Sequence, residues 1–205
     1  MTHLQNVPHV LEYGITHKDS PNANPDYINI GDSSLINSRG AKLMWVNNGD
    51  KFSFEHEQIT LGNFIPFYFG FRMPMLYVIQ NGYNGVKMQP PESIVYCVCT
   101  LQKIIDDGYS YYFTDGHAID SLSSCFDSTM VNDIENIIDF EAAKTWDWTA
   151  QRDLKRKKEA EFLLGQDILK GSMAGFICYN DDTKNKLLKM GVKETMVYIN
   201  THYYF

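Results

Sequence analysis

The residues best suited to chemistry lie at 154–164, LKRKKEAEFLL, where Lys155, Arg156, Lys157 and Lys158 run directly into Glu159-Ala160-Glu161 and the apolar run Phe162-Leu163-Leu164. Two carboxylates two residues apart share one face of a strand, roughly 6–7 Å from each other. A partly buried carboxylate beside cations stays ionised where burial alone would neutralise it, and so supplies a fixed negative charge. The competing reading is a helix with a solvated charged face that ends near Ala160. On these residues alone both readings stand.

A fixed charge needs a core to hold it. With 205 residues the chain reads as a single domain, 1–205, long enough to bury a core without disulfides or a metal. Hydrophobic content of 44% against 21% charged places it among globular chains. The 13 Tyr and 12 Phe favour sheet-rich packing and supply flat faces on which rings or bases can stack. A net charge of −7 argues against a whole-surface nucleic-acid binder, so a polyanion would have to meet local basic patches. Cys97, Cys99, Cys125 and Cys178 form no C-x-x-C pair and no Cys/His set with zinc spacing, which predicts no metal site. No leader is read and no apolar run approaches membrane-spanning length, so a cytoplasmic protein with reduced thiols and no membrane partner is expected.

Along the chain, Val7, Val10 and Leu11 recur at helical spacing and Gly14 suits a helix stop. Residues 21–50 are turn-rich, with a short strand expected at 27–30 and Arg39 in a polar loop after Leu35-Ile36. Residues 65–69 read as a buried strand with Pro66 near its start, and 73–80 as a short helix or a second strand. Further strands are expected at 94–101, 111–113, 176–179, 196–198 and 203–205. The stretch 118–150 reads as one long connection, a functional loop or lid. Within it, 131–147 carries five acids against Lys144, whereas 151–160 carries five cations against Asp153 and Glu159.

Taken together, these pieces resemble a known family. The ordered set is His3-x-x-Asn6-x-Pro8, Gly14, Ile30-Gly31 with Leu35-Ile36 and Arg39, and Ile65-Pro66-Phe67-Tyr68-Phe69 with Met73-Pro74-Met75-Leu76. It continues with Tyr112 to Ala118 (YFTDGHA), Glu159-Ala160-Glu161 and Gly175 to Tyr179 (GFICY). Each motif is weak alone, but seven in this order are similar to the DarT toxins, DNA ADP-ribosyltransferases that use NAD to modify thymidine in single-stranded DNA. The resemblance covers nearly the whole chain.

It implies an α+β ADP-ribosyltransferase fold, with a split, twisted central β-sheet around an NAD cleft and flanking helices. By position, Arg39 and Glu161 match the catalytic pair. His3 matches the first-strand histidine that holds the adenosine ribose of NAD; Thr2, Gly14 and Arg39 are further candidate NAD contacts, and Tyr68 and Met75 line either the nicotinamide pocket or the core. The 118–160 region matches a loop folded over NAD and DNA; beside it His117 is a candidate DNA contact or a strand-end cap, and Lys155 and Arg156 are candidate DNA contacts or part of a solvated helix face. The implied partners are single-stranded DNA and a macrodomain antitoxin. Only Met1 and Thr2 precede His3, which predicts a shortened first strand, and Glu159 stands where relatives often carry Gln. Breaking the nicotinamide–ribose bond builds oxocarbenium-like charge that a fixed carboxylate stabilises. Thymine N3 becomes nucleophilic only as its proton leaves, so a cation beside it helps. Two other readings remain: a transferase of the same fold acting on guanine or protein, and a DNA-binding module that has lost NAD binding.

Overall fold

The computed structural model describes residues 1–50 and 56–205. Among these residues ten strands are found: β1 (Thr2–His3), β2 (Leu43–Asn47), β3 (Gln58–Thr60), β4 (Ile65–Tyr68), β5 (Ile94–Cys99), β6 (Tyr111–Thr114), β7 (Cys125–Phe126), β8 (Glu161–Leu164), β9 (Met173–Cys178) and β10 (Val197–Ile199). They form two sheets, and the chain divides into two compact units, each built on one of them.

The first unit comprises residues 1–32, 75–109 and 166–205. Its sheet runs β1-β5-β9-β10, with β9 and β10 parallel and the other pairs antiparallel. Helix Val7–Tyr13 carries Pro8 in its first turn, where the missing N–H costs nothing, and buries Val7 and Val10 against Phe176, Leu187 and Val197. The helix stops at Gly14 (φ 85°), where a Cβ would lie 2.0 Å from the carbonyl oxygen of Ile168. Only glycine permits both that φ and that approach. Helix Pro74–Asn81 buries Leu76 and Ile79 against Ile94 and Tyr204, with Met75 packed on the same cluster.

Two strand expectations fail here. Residues 27–30 are irregular, because the buried Asn6 amide takes the partner a strand would need: its Nδ2 donates to Ile28 O and its Oδ1 accepts from Ile28 N, both at 2.9 Å. The aromatic end, 203–205, does not extend the sheet either. A 3-10 turn, Thr201–Tyr203, drops Tyr204 into the core, its hydroxyl 3.0 Å from Ile94 O.

The second unit comprises residues 33–74 and 110–165. Its sheet runs β3-β2-β7-β6-β8-β4. Strand β8 is paired on both sides, Glu161 opposite Tyr68 on β4 and Phe162 opposite Phe113 on β6, and all four of its residues are buried. Phe162 stacks on Tyr111 with ring centroids 4.8 Å apart and meets Phe69 edge-on. Pro66 is tolerated because β4 is an edge strand.

Helix Ser33–Ala41 and the strands β2 and β3 occupy stretches with no expected element. The helix lies against the turn Leu61–Asn63 so closely that a Cβ on Gly62 would sit 2.8 Å from Gly40 Cα. The 118–150 stretch is not one continuous loop: β7 pairs with both β2 and β6, and helices Ile134–Ile137 and Phe140–Lys144 follow. Glu159 and Glu161 do not share a strand face. Helix Leu154–Lys158 ends at Glu159, and β8 begins two residues later.

Candidate active site

The second unit holds a buried constellation at the start of β8. The Glu161 side chain is fully buried and that of Arg39 is 14% exposed. Glu161 Oε1 accepts from Arg39 Nη1 and from the backbone N–H of Ala118, both at 3.0 Å. Oε2 lies 2.8 Å from the same Nη1 but off the hydrogen-bond direction, so Oε2 and Arg39 Nη2 are both buried without a directed partner. Buried groups of this kind are costly unless something satisfies them, and here one acceptor and one donor sit side by side. Arg39 arrives on the helix seated by Gly40 and Gly62, and Glu161 is fixed by strand pairing on both sides.

Thr114, which was not among the expected site residues, holds the junction. Its buried hydroxyl accepts from Glu161 N at 3.1 Å and donates to Gly116 O at 2.6 Å. The sequence signal for it was the TDGH run itself, a strand end followed by turn residues. That turn places the His117 ring 4.0 Å from Glu161 Oε1. The pKa of His117 is lowered, chiefly by burial, with Glu161 opposing and Arg39 and Lys155 reinforcing the shift. The Tyr68 hydroxyl is pushed up by burial and then by Glu161 and Glu159.

The basic run divides by environment. Lys158 is fully buried and donates to the carbonyls of Phe71, Ala143 and Thr145 at 3.0, 3.1 and 2.8 Å. Burial lowers its pKa to about 8. Arg156 is tied to Asp153 at 2.7 Å, Asp115 at 3.1 Å and Ser123 at 3.2 Å, and Lys157 to Asp139 at 3.1 Å. Lys155 is exposed. Glu159 is only 5% exposed, and burial raises its pKa to about 7, Lys155 and Lys158 opposing and Glu161 adding. A hollow of about 460 Å³ is lined by His117, Asp120, Leu122, Lys155, Arg156 and Glu159 among others, so three of the expected DNA contacts share one surface.

Thr2, His3, Gly14 and Met75 belong to the first unit, and Arg39 and Tyr68 to the second. Thr2 is buried, its hydroxyl accepting from Asn6 Nδ2 at 2.9 Å. His3 ends β1, and its Nδ1 accepts from Gln5 N at 3.2 Å, which leaves Nε2 as the donor of the neutral ring. Among the described residues, no group of three or more His, Cys, Asp or Glu side chains is placed to hold a metal, and no helix is long and apolar enough to cross a membrane.

A comparison with protein families decides what this arrangement belongs to: the family described as "ssDNA thymidine ADP-ribosyltransferase, DarT" matches residues 1–205. The chain belongs to the DarT family. It is therefore a DNA ADP-ribosyltransferase. A DNA ADP-ribosyl transferase of Escherichia coli O127:H6 is 30% identical over 196 residues, covering 91% of this chain and 82% of its own length. Two structures of Thermus sp. 2.9 DarT match over 100% of this chain. The complex with ADP-ribosylated ssDNA has a TM-score of 0.82 at 24% identity and 93% coverage of its own chain. The complex with NAD+ has a TM-score of 0.75 at 23% identity and 94% coverage. These likenesses show the fold, the α+β ADP-ribosyltransferase fold of DarT. A DNA ADP-ribosyl transferase–DNA ADP-ribosyl glycohydrolase fusion protein of Thermosipho africanus is 29% identical over 169 residues, which is 82% of this chain and 38% of the fusion.

Proposed function

We propose that this chain, acting as a single transferase domain over 1–205, cleaves NAD+ and transfers ADP-ribose to N3 of thymidine in single-stranded DNA. Membership of the DarT family and the NAD+ and DNA complexes of the Thermus relative support the substrates. The observation that carries the residue roles is the buried Arg39–Glu161 pair with one oxygen and one guanidinium nitrogen still undirected.

Glu161 orients the ribose hydroxyls and stabilises the positive charge that grows as the bond to nicotinamide breaks and nicotinamide leaves with the electron pair. N3 attacks the anomeric carbon as its proton departs, and Arg39 stabilises the anion that forms. A guanidinium is permanently protonated, so Arg39 is not the base. His117, held neutral by burial and 4.0 Å from Glu161, faces the pair as proton acceptor. Thr2, His3, Gly14, Tyr68 and Met75 bind NAD+. The 118–160 segment lies over NAD+ and DNA, with His117, Lys155 and Arg156 on the strand. Base pairing hides N3, so the chemistry requires an unpaired thymine.

The same reading makes the protein a cytoplasmic toxin, kept in check by a macrodomain antitoxin that removes the modification. The transferase–glycohydrolase fusion of Thermosipho africanus, which joins the two opposed activities, supports it. Mass spectrometry of homopolymer oligonucleotides incubated with protein and NAD+ tests the transfer. An ADP-ribose adduct is expected on single-stranded oligo-dT, absent from duplex and from Glu161→Gln. Adducts confined to oligo-dG, or equal adducts from Glu161→Gln, would overturn the assignment. Few cations face the strand, so affinity for single strands should fall with salt by about −0.7 log units per phosphate contacted, over only a few phosphates.

A further inference from the structure

A second hollow, about 540 Å³, lies beside the first in the same unit. It is lined along the length of β2, where Trp45 is 64% and Leu43 51% exposed while Met44 and Val46 are buried in the core. Two large apolar side chains on one solvent-facing strand face make an exposed apolar patch, and an exposed indole is a stacking surface. Lys42, His56 and the hydroxyls of Ser121, Ser123 and Ser124 ring it. Asp120 lines this hollow and also the one lined by His117 and Lys155, where Leu122 is 73% exposed, so the two adjoin at Asp120. Asp50 and Asp120 offset Lys42, so the hollow is no electrostatic trap for phosphates.

We propose that Trp45 is the platform of a further nucleotide subsite, stacking a base of the same DNA strand that flanks the thymidine held beside His117. The inference rests on the DNA-transfer reading above. It assigns Trp45 a contribution from base faces rather than from phosphates, and therefore one that salt does not weaken.

The test measures binding of labelled single strands by fluorescence anisotropy, separately from transfer. The probes are an oligonucleotide of about twelve nucleotides with one central thymidine, and the same strand with abasic linkers flanking it. For the wild type the abasic strand should bind about 5- to 100-fold more weakly. Trp45→Ala should bind the intact strand more weakly by a similar factor, show no further loss with the abasic strand, and keep the wild-type salt slope. Trp45→Phe should retain most of the affinity. Wild-type affinity for the intact strand in Trp45→Ala, or losses from the variant and the abasic strand that multiply, would overturn the subsite. A wild type that binds these strands but modifies none would instead bring down the transferase reading, while the binding arm still decides the role of Trp45.

Discussion

Glu159 should make this protein less stable at neutral pH than its fold requires, and Glu159→Gln should remove that cost. The carboxyl is 5% exposed, and burial lifts its pKa from 4.5 to about 7. A carboxyl with a raised folded pKa holds its proton in the native state while the unfolded chain releases it. Stability therefore falls as pH rises above 4.5, and the cost is complete above about 7. A separation of this size corresponds to about 3 kcal/mol, or roughly 6–12 °C in melting temperature for a chain of this length. The amide fills the same space without a charge to desolvate. Melting curves of both proteins from pH 4 to pH 8 check this: the two should coincide near pH 4 and diverge to the full difference by pH 8, the variant melting higher. A difference independent of pH, or none at pH 8, would refute the argument that Glu159 is a desolvated acid.

Arg39→Lys keeps the charge but not the planar fork, and should lower the transfer rate at saturating NAD+ on the order of 10²-fold; a loss confined to the Michaelis constant for NAD+ would reduce Arg39 to a binding group. His3→Ala should raise that Michaelis constant several-fold with little change in kcat, as expected of a residue remote from the breaking bond; steady-state kinetics with oligo-dT decide it. Lys158→Met strips three carbonyls, that of Ala143 buried, of their donor and should destabilise the protein by about 2–4 kcal/mol, read as a lower urea midpoint; an unchanged midpoint would contradict the observed geometry.

The parts of the fold that were legible in the sequence are those where a local signal and the tertiary environment agree. The Val7, Val10 and Leu11 spacing ends at a glycine whose φ is positive, and the β-branched run from 94 is a strand at the centre of a sheet. The helix carrying Arg39 gave no such signal. Ser33–Ala41 buries none of its apolar residues, so no apolar period marks it, and its position depends on the contact between Gly40 and Gly62, far apart in sequence. Strand β2 alternates in burial but not in polarity, because Leu43 and Trp45 are apolar on the exposed face. Arg39, and the choice of Glu161 over Glu159, came through family resemblance. Their separation of 122 positions hides the ion pair from any local reading. Thr114 was missed because its role lies in two hydrogen bonds that close only after β6 and β8 pair.

The junction between helix Leu154–Lys158 and β8 also governs where the chain can change length. Lys158, Glu159, Ala160 and Glu161 are consecutive and all buried, so there is no slack between the last helical turn and the first ladder pair. One added residue must be absorbed somewhere. If β8 slips by one, Glu161 turns to the opposite face of the sheet and the residue before it takes its place beside Arg39. If the helix shifts instead, Lys158 leaves its three carbonyls. Insertions and deletions are thus barred at 158–161, whereas the exposed tip around Ser121 and Leu122 has room for them. Variants of this protein that differ in length should differ there.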